Sequence, residues 1–367
     1  MAHPAQPPGR RAFTAFLAAL PALAAVKPET RLPSDRKRYA DPATEFEVLR
    51  LTDPSYTSIL PVSRNRPVSR GGDALLYASD RDGTLQALRM DLKSGESAVL
   101  TSAKSMQPWS LTMLPGERAL CYFDGGALTL MNLSNRKTRV VYEVPAGQEC
   151  VSLSVSEDSM HAFLVEAKGV GSRLRLIPLM RGAATTVVES DGRLLDTRPR
   201  PKRAGILYRR DDATLWLVNY DGQQNRKLRV GAGRVVRALW SPDGRTVLYL
   251  SIQEEPKRIH AIRECTPDTN ADSLVALTTQ FADFERNPDA SVFVGVCGSL
   301  AQPHILLLVR QVKREFTLCE HKSSDARAVA AQFSSNSQRI FFQSDRHGKP
   351  AIYSMAIEKL VEQTMSD

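Results

Sequence analysis

Residues 239–250 read LWSPDGRTVLYL, and this stretch decides the fold. A short apolar strand runs into a Ser-Pro-Asp-Gly turn, and a strand rich in β-branched and aromatic residues leaves it. Proline presets the backbone of such a turn, and glycine tolerates the positive φ angle that the turn needs. The stretch therefore predicts a tight hairpin between two short β-strands.

The same unit recurs along the whole chain. Its best second copy is QFSSNSQRIFF at 332–342. Degenerate or weaker copies lie at 68–77, 113–122, 153–164, 200–208 and 286–295. The second strands of successive units end 41 to 47 residues apart. Seven units of this length predict an all-β fold, a seven-bladed β-propeller with four short strands in each blade.

The last unit lacks an outermost strand, and the beginning of the chain offers one. Residues 45–52 read EFEVLRLT and resemble the fourth strand of the first blade. An N-terminal strand that completes the last blade would close the ring and remove two exposed sheet edges. We therefore expect a single propeller over 45–357, a lead-in over 26–44 and a C-terminal tail over 358–367.

Composition favours a globular protein and excludes several other classes. The 367 residues carry a formal charge of +9, with 42% hydrophobic and 24% charged residues, so intrinsic disorder is excluded. No apolar run is long enough to span a membrane. The five cysteines form no Cys-x-x-Cys pair, and no two of the six histidines have a metal-binding spacing. We predict no metal site from these residues.

The first 25 residues have the layout of an export signal. Arg10 and Arg11 precede an apolar segment of about a dozen residues, and the small residues at 22–24 could be cleaved by a signal peptidase. The paired arginines favour the twin-arginine pathway, so we expect a periplasmic or extracellular protein without a membrane segment after cleavage. The alternative is a basic terminus followed by an incidental alanine-rich helix.

Basic residues are concentrated in the middle of the chain. The span 193–237 contains twelve Arg or Lys residues and only four acids. Basic side chains on one side of a ring attract polyanions, and arginine forms paired hydrogen bonds with carboxylates. The partners we consider are an acidic oligosaccharide or an envelope protein, and the alternative is a solvated basic rim. Nucleic acid is not expected, because aromatic stacking platforms and a recognition helix are missing.

Four segments resemble the oligogalacturonate lyase family. Residues 38–52 are similar to its opening strand, 75–91 to its first blade, 215–227 to its Trp-Leu-Ile-Asn-x-Asp-Gly segment, and 344–353 to its final hairpin. The resemblance covers about residues 37–360. It implies a seven-bladed propeller that degrades pectin fragments by β-elimination. It also implies a divalent metal, usually manganese, that binds the uronate carboxylate and acidifies the neighbouring proton.

The chain departs from the family pattern where the metal would bind. Ala328 and Ala330 stand at two His positions of the family, Asp325 stands at its Gln position, and Arg237 replaces a further His. Another family His aligns near Arg209 and Arg210. A site without these ligands cannot hold manganese tightly, so this departure predicts a divergent member with no metal cofactor, either a pseudoenzyme that binds uronates or a metal-free lyase.

Arginines supply the remaining candidates for chemistry. Arg173 aligns with the family residue assigned as the base, and Arg210 is a second catalytic candidate. Arg209, Arg237 and Gln332 are candidates for substrate binding. Three hypotheses follow: a uronate-binding propeller of lyase ancestry, a lyase in which arginine replaces the metal, and a TolB-like envelope module that docks proteins without catalysis.

Overall fold

The computed structural model describes residues 30–62, 65–211, 213–253, 259–279 and 281–360. The expected export signal over 1–25 lies outside them, as does most of the expected tail over 358–367. Within the described residues no helix has the length and apolar character needed to cross a bilayer. Regular structure in these ranges is almost entirely strand.

Thirty short strands make up the described part of the chain, and they form seven separate sheets. The three N-terminal strands are β1 Arg31–Leu32, β2 Lys37–Ala40 and β3 Glu47–Arg50. Blade one consists of β4 Ser58–Ile59, β5 Ala74–Ser79, β6 Gln86–Asp91 and β7 Ser97–Val99. Blade two consists of β8 Thr112–Met113, β9 Ala119–Asp124, β10 Ala127–Asn132 and β11 Thr138–Glu143. Blade three consists of β12 Glu149–Val155, β13 His161–Lys168, β14 Gly171–Pro178 and β15 Thr185–Ser190.

Blades four to seven continue the same pattern. Blade four consists of β16 Leu194–Pro199, β17 Gly205–Arg210, β18 Thr214–Asn219 and β19 Arg226–Lys227, and blade five of β20 Arg234–Trp240, β21 Val247–Ile252, β22 His260–Thr266 and β23 Ala271–Thr278. Blade six consists of β24 Phe281–Arg286, β25 Val292–Cys297, β26 His304–Val309 and β27 Arg314–Glu320. Blade seven contains β28 Gln332–Phe333, β29 Arg339–Ser344 and β30 Ala351–Ala356. Short 3-10 helices at Pro108–Ser110 and Ala326–Ala328 precede the first strands of blades two and seven. The predicted all-β, seven-bladed propeller is confirmed.

The N-terminal strands close the ring, as the sequence predicts. β3 pairs antiparallel with β30 and completes blade seven, with Leu49 opposite Ser354. Two strands of the lead-in were not predicted: β2 extends blade seven beyond β3, and β1 adds a fifth strand to blade one by pairing with β7. Both ends of the ring are therefore fixed by the same N-terminal segment.

The repeated turn is stabilised by its own side chains. In blade five the Ser241 hydroxyl donates to Asp243 (2.6 Å) and accepts from the amide of Thr246 (2.9 Å). Gly244 adopts φ +70°, and a Cβ there would lie 2.5 Å from the carbonyl oxygen of Pro201 in the preceding blade. The glycine is therefore required both by the turn and by the close approach of the neighbouring blade.

The hydrophobic core lies between neighbouring blades. Leu207 and Leu217 of blade four pack with Trp240 and Tyr249 of blade five, and comparable clusters join the other blades. First strands of adjacent blades are also in contact, such as β12 with β16 and β20 with β24, so they surround the central axis. Because each blade is an antiparallel meander, the first strands all begin on one face of the ring and run into the Ser-Pro-Asp-Gly-type turns on the other.

Candidate functional site

The two ends of the central channel differ. We call the end with the beginnings of the first strands, and with the hairpins between second and third strands, the hairpin face. The other end, with the Ser-Pro-Asp-Gly-type turns, is the turn face. A cavity of about 470 Å³ lies at the turn face. Its inner wall includes Ser154, Arg198, Leu239, Glu285 and Gln332 from five blades.

A cluster of buried ion pairs lies next to this wall, one pleat closer to the hairpin face. Along β20, Arg237 points to the same side as Leu239, and along β24 Asp283 points to the same side as Glu285. Arg237 Nε lies 3.3 Å from Asp283 Oδ1, and its Nη2 lies 3.4 Å from Glu285 Oε2. These side chains are only 14–21% exposed. One arginine of blade five is therefore held by two carboxylates of blade six.

Burial and charge act against each other in this cluster. Burial disfavours the charged form of Arg237, but the two carboxylates outweigh it and raise the pKa of this guanidinium. Burial raises the pKa of Asp283 despite Arg237, and the nearby charge of Glu285 adds to that rise. The positive charge of Arg237 thus opposes the rise that burial causes in the pKa of Asp283.

Arg209 belongs to a second pair beside this cluster. Its Nε donates to Asp196 Oδ2 (2.7 Å), and its Nη1 donates to the carbonyl of Val235 in the next blade (3.2 Å). Asp196 reaches it from a bulge in β16, where its backbone has φ +50°. The charge of Asp196 also helps to raise the pKa of Arg237. The structure therefore brings the predicted residues Arg209 and Arg237 into one region of the channel.

Arg173 lies near the tip of the β13–β14 hairpin, on the hairpin face. Its Nη2 donates to Gln148 Oε1 (2.7 Å) and to Glu166 Oε2 (3.1 Å). Glu166 is completely buried and also accepts a hydrogen bond from Tyr142. Burial and Glu166 raise the pKa of Tyr142 to about 12. The predicted base is thus paired with a carboxylate of its own blade.

The other two candidates lie apart from each other. Arg210 is part-exposed at the end of β17, where its guanidinium stacks over Trp216 at 5.6 Å and lies 3.5 Å from Asp211. Gln332 is 3% exposed and lines the turn-face cavity. Its amide nitrogen is buried and has no hydrogen-bond partner among the described residues. Arg210 can therefore meet a ligand only at the hairpin face, and Gln332 only from the turn face.

The residues that replace the family's metal ligands do not fit manganese. Asp325 caps the 3-10 helix by accepting from the amide of Arg327 (2.9 Å), and Ala328 and Ala330 have no ligand atoms in their side chains. The described residues contain no group of three His, Cys, Asp or Glu arranged to hold a metal ion. The hard oxygen ligands near Arg237 are the carboxylates of Asp283 and Glu285, and both are paired with its guanidinium.

His321 lies in the loop between β27 and the 3-10 helix that contains Ala328, and its ring makes structural hydrogen bonds. Its Nδ1 accepts from the amide of Ser323 (3.0 Å), so Nε2 carries the proton that bonds to the carbonyl of Cys297 (3.2 Å). Burial lowers its pKa, although the bond to Cys297 opposes the shift. Both ring nitrogens are engaged, and His321 is fully buried, so it is not a metal ligand.

Two functional residues were missed from the sequence, namely Asp283 and Glu285. They stand at the same positions of the repeat as Arg237 and Leu239, one blade further along the ring. An alignment of the inner strands on their turns would have placed an acid opposite Arg237. The signal was therefore present, but the degenerate turn of blade six concealed it.

Comparisons with known proteins agree with the resemblance. No family model matches the chain. The oligogalacturonide lyase of Pectobacterium atrosepticum is 23% identical over 375 residues, which cover 88% of this chain and 96% of the relative. The oligogalacturonate lyase of Dickeya dadantii is 23% identical, with 86% and 94% covered.

Solved structures show the same fold. An oligogalacturonate lyase in complex with manganese superposes with a TM-score of 0.84 at 23% identity, covering 89% of this chain and 97% of that one. An oligogalacturonate lyase from Vibrio parahaemolyticus gives 0.83 at 22% identity, covering 90% and 98%. Two sequence relatives matched over nearly their full length and the shared fold show that this chain is similar to oligogalacturonate lyases.

Proposed function

We propose that this chain binds short galacturonate oligosaccharides in its channel and does not cleave them by manganese-dependent elimination. The relatives are named for lyases that act on oligogalacturonate, which supports a uronate ligand. The single observation that carries the proposal is the cluster around Arg237, which occupies a position where the resemblance implies a metal ligand.

The cluster argues against catalysis of the metal-dependent type. Metal-assisted elimination needs a strong cation on the uronate carboxylate, because neutralising that carboxylate acidifies the adjacent proton. Here the cation is a guanidinium that Asp283 and Glu285 already contact at 3.3 and 3.4 Å. Arg209 is likewise paired with Asp196. These five side chains carry two positive and three negative formal charges, so a uronate would meet no unshielded cation here.

A metal-free lyase receives less support from the same geometry. The base implied by the resemblance aligns with Arg173, and a guanidinium must lose a proton before it can accept one. In this structure Arg173 is instead paired with the buried carboxylate of Glu166, 3.1 Å from its Nη2. A docking role like that of TolB rests on the propeller fold alone, and a fold does not name a function.

The test is a titration together with an activity assay. Isothermal titration with trigalacturonate should give saturable binding that chelator does not change. Ultraviolet absorbance of the unsaturated uronate product should stay flat with manganese and with chelator. A rise only with manganese would show that the ligand alignment at Arg237, Ala328 and Ala330 is wrong. A rise that survives chelator would establish a metal-free lyase, and absence of binding would refute the uronate proposal.

The place of action is a second part of the proposal. Arg10 and Arg11 lie in the segment expected to direct export by the twin-arginine pathway. Fractionation of cells that make the full chain should find it outside the cytoplasm, shortened at its N-terminus. Replacing both arginines by lysine should retain it in the cytoplasm, and unchanged export of that variant would refute the twin-arginine route.

A further inference from the structure

The outermost strand of blade five, β23, has an open edge. Within the described part of the chain, no strand pairs with its outer side. In blades one and seven a short N-terminal strand extends the sheet outward, β1 beside β7 and β2 beside β3. The outer edges of this propeller therefore accept an additional strand, and the backbone amide and carbonyl groups along β23 are available for one.

β23 lacks the charges that protect the other open edges. It has eight residues, whereas the outer strands of blades two, three, four and six have six, six, two and seven. Charged side chains, which discourage pairing between edges, occur in all four of those strands. They are Arg139, Glu143, Glu189, Arg226, Lys227, Arg314, Glu315 and Glu320. β23 has one charged residue, Asp272, and no proline.

The single charge of β23 is compensated within its own blade. Asp272 Oδ2 accepts from Arg263 Nη2 (2.6 Å) and Nε (3.0 Å). Asp272 Oδ1 accepts from the hydroxyl of Tyr249 (2.6 Å). A strand laid along this edge would therefore meet no uncompensated charge on β23.

Two leucines give this edge an exposed apolar face. Leu274 is 47% exposed and Leu277 is 54% exposed. Leu274 lies opposite Arg263 and Leu277 lies opposite Ala261, because the pairing with β22 shifts by one residue between them. Since Ala261 and Arg263 are two residues apart on β22, both leucines point to the same face of the blade. By the same alternation this face includes Ile259, which is 58% exposed just before β22.

The edge is complementary to a second copy of itself. Antiparallel pairing of two β23 strands about a two-fold axis can place Leu274 opposite Leu277 of the second copy, and the axis repeats this pair. Both leucine pairs then lie on one face of the joined sheet. In the same register Asp272 lies opposite Thr279, so no like charges face each other. Because β23 is the outermost strand of its blade, both ends of the channel stay accessible.

We propose that β23 is the contact of a weak homodimer, in which the outer edges of blade five from two copies pair antiparallel and Leu274 of each copy packs against Leu277 of the other. Stable complexes bury about 1,200–2,000 Å² in their interfaces. Pairing through one strand buries less, so we expect a dissociation constant on the order of 10–100 µM.

The test compares two matched substitutions on outer edges. Sedimentation equilibrium of the full chain, from about tenfold below to about tenfold above the expected constant, should show the average mass rising from monomer to dimer. Leu277→Lys should weaken association at least roughly tenfold, because it sets an ammonium group against an apolar side chain in the paired edge. Val140→Lys is the control, since Val140 is 53% exposed on the outer strand of blade two. It should leave association unchanged.

Three results of this comparison would overturn the proposal. The first is a wild type that stays monomeric at every concentration. The second is equal association of the wild type and Leu277→Lys. The third is loss of association in Val140→Lys alone, which would assign the contact to blade two.

Cross-linking tests the register independently of any effect of lysine on folding. Two singly substituted chains, Leu274→Cys and Leu277→Cys, are mixed and treated with oxidised glutathione, and the wild type with its five cysteines gives the background. Opposite residues of paired strands have Cβ atoms about 4.5–5.5 Å apart, close to the separation that a disulfide needs. The mixture should therefore yield covalent dimers.

Each substituted chain alone should stay at the background level. In the proposed register the two copies of one residue lie about 10 Å apart along the strands, too far for a disulfide. A mixture that cross-links no more than the wild type, or no more than either chain alone, would overturn the proposed pairing.

Discussion

At the scale of single residues, we expect the stability of the channel to depend on the ion pairs that Arg237 forms with Asp283 and Glu285. Removing one member of a buried ion pair leaves the other charge without a partner and costs about 3–5 kcal/mol. Arg237→Met would leave Asp283 and Glu285 facing each other with the guanidinium gone. We expect the variant to lose about 3 kcal/mol of unfolding free energy, measured by urea denaturation followed by circular dichroism.

A compensated variant provides the control for this prediction. Combining Arg237→Met with Asp283→Asn and Glu285→Gln removes all three charges at nearly constant volume. Most of the lost stability should return, since no buried charge remains uncompensated. If the single and triple variants were equally unstable, the packing of the Arg237 side chain rather than its charge would be the source of the loss.

The sequence could place Arg237 on an inner strand but could not show its partners. Its position followed from the turn that begins at Ser241, four residues later. The pairing with Asp283 and Glu285 depends on how closely blades five and six approach, and that distance is set by packing of the whole ring. Arg173 was likewise assigned to a strand correctly, whereas the buried Glu166 beside it lies seven residues away on another strand.

At the scale of elements, His321 connects blades six and seven. It is fully buried, it bonds to Cys297 and Ser323, and its own carbonyl accepts from the hydroxyl of Ser344 (2.6 Å). Because burial lowers its pKa below the ordinary value of 6.5, the unfolded chain takes up a proton here first as the pH falls. Stability should therefore decrease below about pH 6.5, by at most about 1.4 kcal/mol per pH unit for this group.

Two substitutions isolate this pH dependence. His321→Asn keeps an acceptor for the amide of Ser323 but cannot titrate, so its unfolding free energy should be lower overall and flatter between pH 5 and about 7. His347→Asn, in an exposed turn, should remove only a smaller part of the slope, namely its own, because burial and the charge of Arg346 also lower the pKa of His347. Urea unfolding at several pH values gives both quantities. An unchanged slope in His321→Asn would assign the dependence to another group.

The elements that the sequence predicted well are those set by local chemistry. The Ser-Pro-Asp-Gly unit fixed the hairpin of β20 and β21, because the turn is stabilised by residues within five positions of one another. β1 and β2 were not predicted. Each has only two to four residues, and β1 exists through pairing with Ser97 and Ala98, more than sixty positions away. Local sequence carries little signal for such strands.

At the scale of the whole molecule, the ring is held shut by the N-terminal segment. Val48 and Leu51 are completely or almost completely buried. The amide of Leu51 donates to the carbonyl of Ile352 (2.7 Å), and the hydroxyl of Thr52 accepts from the amide of Ile352 (2.9 Å). A chain that begins at residue 30 keeps all of these contacts, whereas one that begins at residue 53 leaves β30 as an open edge.

We therefore expect the two truncations to behave differently. The chain from residue 30 should match the wild type in melting temperature and in elution volume on gel filtration. The chain from residue 53 should melt at a lower temperature and self-associate, because an unpaired strand edge accepts strands from other molecules. Val48→Lys in the full chain should act in the same direction, since it places a charge in the core at the closing strand. If the chain from residue 53 remained monomeric and equally stable, the ring would be closed by packing between blades one and seven, and the N-terminal strand would be dispensable.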